Sequence, residues 1–363
     1  MAKKRSYYTL DEILKHDAQI NIIIGQKGNG KSYAVKKQRI IENVIRNGRK
    51  LAYIRRYGVD VKARDIESYF GDVLDIISKE TKGKYCGVRF YRGYIYLAYE
   101  DENGKLVRDD TACIGRSVGL NEYAHYASQT FVGISDIVFE EFITDSRYLE
   151  NEPTLLLRFL DTIARDYPDV KVWLLGNTIS QVNPYFEDWV LDHIYDQKQG
   201  TIDDYFHKRY DEVLEEEIVT KISVEFCAQT GRSSRFIFGR DADHIAGGAY
   251  MTKEYGKFPG SPKDSTMVYE LLFTSQGHSF VMQLWIHKQT GGPFIYIYPN
   301  KIKREIRRKI VDYFDPDPFV TVKFREDIPA EQMMVECLNM KKVCFLNNQI
   351  GQNFYNVLEN RRV

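Results

Sequence analysis

Gly25, Gly30, Lys31 and Ser32 fill every fixed position of G-x-x-x-x-G-K-[ST], the spacing that makes a short loop a phosphate cradle. Gln26, Lys27, Gly28 and Asn29 complete that loop. Backbone N–H groups can wrap a pyrophosphate only where no side chain blocks the approach, and Gly25, Gly28 and Gly30 leave that room. The Lys31 ammonium would reach the β- and γ-phosphate oxygens as a point charge, and the Ser32 hydroxyl would ligate Mg²⁺.

A second group of chemically capable residues is Glu140-Glu141, two acids that follow the apolar run Ile137, Val138, Phe139. In a nucleotide enzyme the first acid after such a strand holds Mg²⁺, and a glutamate beside it can polarise the attacking water. Glu140 stands where Asp is commoner, so its reach is one methylene longer. Asn177 ends the apolar run VWLLG and either senses the γ-phosphate or is a turn residue. Arg165 either caps a helix dipole or is delivered to a neighbouring subunit's nucleotide. Arg55-Arg56 ends KLAYIRRY, where α/β folds place ligand contacts, and is otherwise a solvated edge pair.

The elements that must position these groups follow from periodicity. Ile20, Ile22, Ile23 and Ile24 form the buried strand that precedes the glycine loop. Residues 32–47 read as a helix stopped by Asn47-Gly48, and 50–57 as a second strand. The aromatic alternation in KYCGVRFYRGYIYLAYEDENGK, punctuated by Gly83, Gly87 and Gly93, reads as a β-meander inserted into an α/β core. A helix is expected over 154–165, with Leu155, Leu156, Phe159, Leu160 and Ile163 on its apolar face. After Phe186 we expect a helix-rich acidic segment containing Asp203-Asp204 and Glu215-Glu216-Glu217, then the strand IVTKISVEF closing the sheet. Composition shifts to Gly, Ser, Asp and Pro between Thr230 and Ser265. This places an α/β P-loop domain at 1–228, a linker or hinge at 229–265 and a smaller α+β carboxyl domain at 266–363. The carboxyl domain opens with three β-patterned runs from Val268, as an RNase H-like sheet does, and continues into the basic cluster Lys301, Lys303, Arg304, Arg307, Arg308, Lys309, expected on a helix. That cluster is either a solvated face or a contact to a phosphate backbone or a partner protein.

Bulk composition narrows the class. Lys plus Arg and Asp plus Glu both number 51, so no global basic field marks a nucleic-acid coat, and any such contact must be local. The five cysteines lack a CxxC pair, which argues against zinc or disulfides and for a reduced cytosolic setting. No apolar h-region follows the charged start, and no apolar run reaches membrane-spanning length, so no membrane role is expected.

The set of segments resembles the DNA encapsidation (packaging) ATPases of small short-tailed phages with terminal-protein-primed genomes. INIIIGQKGNGKSYA, KLAYIRRY, DIVFEEFI, LDTIAR, LLGNTISQVNPYF and FLNNQI occur in that family's order, so the resemblance covers nearly the whole chain. It implies an ATPase domain of the additional-strand, conserved-glutamate type with a mostly parallel sheet, plus a vestigial RNase H-like carboxyl domain without nuclease activity. It further implies a homo-oligomeric ring, a pentamer, that hydrolyses ATP with Mg²⁺ and drives double-stranded DNA through the portal of a procapsid. A structural RNA or terminal protein is a further possible partner. The setting implied is host cytoplasm and, transiently, the procapsid vertex, not the mature virion.

By position the resemblance makes Glu141 the catalytic base, Asn177 the sensor, Arg165 the trans-acting arginine finger, and Ser32 with Glu140 the metal side. The chain departs from the family at Glu140 and in lacking a basic residue in 117–134 for a second trans-acting lysine, a role left to Arg116 or Arg147. Lys62 and Arg64, with Lys303 and Arg307, are the candidate DNA contacts. Two other readings stand beside the motor. A terminase-like nuclease needs clustered acids in the carboxyl domain, where only Glu270 lies near the first strand. A capsid-vertex scaffold would bind nucleotide without turnover.

Overall fold

A computed structural model of the chain describes residues 7–126, 129–144, 148–165, 167, 169–178, 183–212, 215–228, 254–275, 278–300 and 305–360. Two compact units divide it, Met1–Met251 and Thr252–Val363.

In the first unit, uninterrupted apolar runs become strands buried on both faces, as parallel strands between helical layers must be. The strands are β1 (Ile20–Gly25), β2 (Lys50–Arg55), β3 (Gly87–Tyr91), β4 (Tyr94–Glu100), β5 (Leu106–Gly119), β6 (Ile134–Glu140), β7 (Lys171–Asn177), β8 (Thr201–Asp211) and β9 (Glu216–Phe226). They form one nine-stranded sheet in the order β3-β4-β5-β2-β6-β7-β1-β9-β8. From β5 across to β9 every neighbouring pair is parallel. One strand, β7, lies between the P-loop strand β1 and the acid-bearing strand β6, which is the additional-strand topology. The aromatic insert is the antiparallel pair β3-β4 leading into β5. Gly93, at φ +85°, makes the β3-β4 turn.

Helices cover the two faces. On one side lie α1 (Lys31–Val35), which continues into a π-helical stretch Lys36–Arg46, then α2 (Ala63–Tyr69) and α3 (Leu74–Glu80), packed on Ile23, Leu51, Tyr53, Val138, Trp173 and Leu175. On the other lie α4 (Tyr123–Tyr126), α5 (Glu152–Ala164) and α6 (Pro184–Asp188), over Ile22, Ile54, Ile137, Phe139 and Leu174. Pro153 lies in the first turn of α5, where a missing N–H costs nothing, and Leu156, Phe159, Leu160 and Ile163 face inward at helical spacing.

One expectation about this unit fails. Asp203 and Asp204 lie on β8 and Glu216 and Glu217 on β9, an antiparallel hairpin, so the acidic segment is not helix-rich. The hairpin's outer half pairs only with itself, which lets charged residues alternate along it without burial.

In the second unit β10 (Ser265–Ser275), β11 (His278–His287) and β12 (Pro293–Pro299) are an antiparallel meander. Two short strands, β13 (Lys309–Ile310) and β14 (Val320–Thr321), add in parallel beyond β10, and β15 (Val343–Phe345) adds beside β12. The order β14-β13-β10-β11-β12-β15 contains the RNase H-like arrangement, covered by helices Pro329–Asn339 and Asn348–Asn360. The basic cluster departs from expectation. Lys301, Lys303 and Arg304 lie outside the described residues, and 305–308 form a non-helical approach to β13. Arg308 turns inward onto Glu331 at 2.6 Å, with both side chains buried, so no helical basic face exists across the described part.

Candidate functional site

The P-loop forms where β1 ends. Gly28 (φ +74°) and Gly30 (φ +103°) take left-handed backbone that a side chain would strain, and Gly30 is the N-cap of α1. Gly25 has a different reason to be glycine: a Cβ there would lie 2.8 Å from both Asn29 Nδ2 and Cys227 Cβ. The loop is thus packed against the chain following β9. Gln26 and Asn29 are buried, whereas Lys27 is exposed.

Lys31 folds back across its own loop. Its Nζ donates to Gly25 O (2.9 Å), Gln26 O (3.0 Å), Asn29 Oδ1 (3.3 Å) and Asn177 Oδ1 (3.3 Å). The parallel register sets Gly25 opposite Asn177 and so brings Asn177 to the loop that Lys31 spans. The ammonium is buried, and that burial pulls its pKa down to about 8.

Glu140 ends β6 facing α1. The Ser32 hydroxyl bonds its carboxylate, yet Oε1 is buried with no hydrogen-bond partner among the described residues. Burial raises the Glu140 pKa, opposed by the Ser32 bond and the charges of Lys36 and Arg55. A buried carboxylate oxygen without a donor, beside a serine hydroxyl at a phosphate loop, is a hard-oxygen donor set that fits Mg²⁺.

Glu141 breaks out of the strand with φ +58°, which turns its side chain away from that of Glu140 into solvent. Arg55 Nη2 donates to its Oε2 at 2.8 Å, across from the end of β2. The pair is partly exposed, so it is worth ~0.2–1 kcal/mol and is easily parted. Arg56, the next residue, points the other way and is buried. The two arginines therefore split between the Glu141 carboxylate and the peptides that follow it, a division no local pattern encodes because it depends on chain 85 and more residues away.

Arg165 caps α5 and is exposed, with no hydrogen bond or ion pair to any described residue. It does not join the cluster of Lys31, Ser32, Glu140 and Asn177. Arg116 is caged by the rings of Tyr94, Tyr126 and Phe131, each 5.0 Å away, and Arg147 lies outside the described residues. Lys62 and Arg64 are exposed at the start of α2. Arg307, in the other unit, is exposed and stacked 3.7 Å over Phe319, and Lys303 lies outside the described residues.

A glycine loop between β1 and α1, acids ending β6 and β7 interposed between them define a P-loop nucleotide-hydrolase fold of the additional-strand class. Within that class, the family model described as Podovirus DNA encapsidation protein (Gp16) matches residues 1–305, and the chain belongs to this family. It is similar to the "DNA packaging protein" of Bacillus phage phi29, at 33% identity over 186 residues, which is 50% of each chain. The protein of the same description from Bacillus phage B103 is 30% identical over 178 residues, 48% of this chain and 49% of its own length. The chain thus spans about half the length of these curated relatives. Among solved structures it resembles the bacteriophage Phi-29 viral genome packaging motor assembly (TM-score 0.60, 22% identity, 98% of this chain and 99% of that one). It also resembles the Phi-28 gp11 DNA packaging motor (TM-score 0.57, 19% identity, 99% of each chain). At these identities the structures speak to the fold.

Proposed function

We propose that this chain is the ATP-hydrolysing subunit of a DNA-packaging motor, a homo-oligomeric ring that drives double-stranded viral DNA through the portal into a procapsid. The observation that carries the proposal is the meeting of Lys31, Asn177, Ser32 and Glu140 at the ends of three adjacent parallel strands, with Glu141 beside them. The packaging names of the relatives support the same reading.

In this reading the P-loop amides and Lys31 bind the β- and γ-phosphates of ATP. Ser32 and Glu140 hold Mg²⁺, which when bound neutralises charge developing on the transferred phosphoryl group. Glu141 orients and deprotonates the attacking water, for which its carboxylate must leave Arg55. Asn177, bonded to Lys31 before nucleotide enters, changes partner when a γ-phosphate takes that lysine. Arg165, exposed and without a described partner, serves the neighbouring subunit's nucleotide, the role that requires a ring. Lys62 and Arg64, with Lys303 and Arg307, contact the DNA backbone, and the carboxyl unit does not cleave DNA. Subunits act on the procapsid vertex within the host cytoplasm, with a structural RNA or terminal protein as further partners. The domain limits we adopt are 1–228, 229–265 and 266–363.

The test is turnover by Glu141→Gln with DNA and procapsid. We expect ATP affinity to persist and hydrolysis to fall by about 10²–10⁴. Hydrolysis and packaging at the wild-type rate would refute the motor reading, and ATP binding by the unmodified protein without turnover, with or without DNA and procapsid, would favour a scaffold.

A further inference from the structure

Arg56 makes contacts that no chemistry so far assigned requires. Its Nε donates to Glu152 Oε2 at 2.7 Å, Nη2 to Phe142 O at 2.7 Å and Nη1 to Glu141 O at 3.2 Å. The side chains of Arg56 and Glu152 are 8% and 0% exposed. The guanidinium also lies over the rings of Tyr148 and Phe139, at 5.0 and 5.8 Å. Glu152 is fully satisfied in turn, accepting from Tyr185 Oη (2.7 Å) and Leu149 N (2.8 Å).

This network touches three elements. Through the two carbonyls it grips the peptides at which Glu141 leaves β6 with positive φ, a conformation that a non-glycine residue keeps only when its surroundings enforce it. Glu152 is the first residue of α5, and Tyr185 belongs to α6. At ~1.5 Å per residue, α5 is a rod roughly 20 Å long whose other end presents Arg165. Its inward residues are locked in the core, so a shift at Glu152 would be transmitted along the helix.

We propose that Arg56 is a positioning residue: it fixes the peptide that aims Glu141 and, through Glu152, ties that peptide to α5, so that the water-activating base and Arg165 move as one body. The proposal rests on the ATPase reading above. It makes each subunit report the state of its own Glu141 loop to the site its Arg165 serves.

The experiment uses the full chain with Arg56→Met and Glu152→Leu together. A buried ion pair can be exchanged for apolar side chains of similar volume with the fold kept. A purely structural role would therefore lower stability, through the groups that lose Arg56 and Glu152 as partners, and leave kcat of the folded protein unchanged. Fluorescent ATP-analogue binding, thermal melting and steady-state kinetics are measured in parallel. We expect analogue affinity within about twofold of wild type and a lowered melting point, because Tyr185 Oη, Leu149 N and the Glu141 and Phe142 carbonyls lose partners. At a temperature where the exchanged protein is folded, kcat should be lowered at least about tenfold. On an Arg165→Ala background the same exchange should lower kcat little further, because groups acting as a unit are non-additive. Wild-type kcat in the exchanged protein overturns the positioning role, and a fully additive loss overturns the coupling. If the exchanged protein fails to fold, Glu152→Gln, which keeps the shape, is read the same way. Absence of turnover in the unmodified protein would instead sink the ATPase reading.

Discussion

Lys31 gives the most quantitative handle on the site, because the structure places its ammonium where burial lowers the pKa to about 8. In the ligand-free protein it is about nine-tenths protonated at pH 7 and about one-tenth at pH 9. Bound phosphate would hold the proton, so nucleotide binding takes up a proton above pH 8, and the dissociation constant for ATP should rise about tenfold from pH 7 to 9, or ~1.4 kcal/mol. ATP's own phosphates are already ionised across that range and contribute little slope. The sign for folding is opposite. An unfolded lysine titrates near 10.4, so between about 8 and 10.4 the unfolded chain carries the extra proton, and stability of the ligand-free protein rises with pH through that window. Titration of a fluorescent ATP analogue at half-unit pH steps reads the first effect, and ligand-free thermal melts read the second. Lys31→Arg, with a fixed charge, should remove the slope of the binding curve. A flat wild-type curve between pH 7 and 9 would mean that the four acceptors around Nζ fully offset burial, and the reasoning would fail.

Two further predictions address the fold and the assembly. Asp136 is fully buried on β6 and accepts from Arg39, Asn43, Trp173 and Ser135, so Asp136→Ala strands several donors and should cost about 3–5 kcal/mol in a denaturant melt; a loss below ~1 kcal/mol would show that these donors find other partners. Arg165→Ala should leave ATP affinity of the isolated subunit within about twofold while assembled hydrolysis falls by roughly 10³–10⁵, and assembled turnover at the wild-type rate would reject its trans role.

Much of the parallel core was legible because strands covered on both faces carry their own signal. INIIIG, DIVFE and VWLLGN each carry an apolar run that needs no knowledge of its neighbours. Strand β8 was not, since TIDDYFHKRYD is polar and becomes a strand through its eleven-residue pairing with β9. The approach to β13 hid for a similar reason. Its density of Lys and Arg suggests a solvated helix, yet Arg308 is drawn inward by Glu331, 23 residues later, and the strand needs only two residues. At the site, the glycine spacing and the two acids announced themselves by type. Their second layer did not: Arg55 and Arg56 are adjacent and chemically identical, and only the positions of Glu141 and Glu152 give them different tasks.

The two acids on one face of β6 show why the unpartnered oxygen of Glu140 is not a packing defect. Asp136 and Glu140 lie four residues apart on a strand, hence on the same side and roughly 13 Å apart. Both are met by the helical segment that follows the P-loop. At Asp136 that segment supplies Arg39 and Asn43. At Glu140 it supplies the Ser32 hydroxyl and, through space, the charge of Lys36. The far contact fixes how that segment lies over β6, and so fixes where Ser32 and the start of α1 stand relative to Glu140. A segment free to slide could bring another donor to the Glu140 carboxylate and relieve the cost of its buried oxygen. Held at Asp136, it cannot, and the unsatisfied oxygen persists beside the serine hydroxyl. The saturated acid thus preserves the unsaturated one, and the position left short of a donor is the one where a divalent cation bound with nucleotide phosphate would find oxygen ligands already set in place.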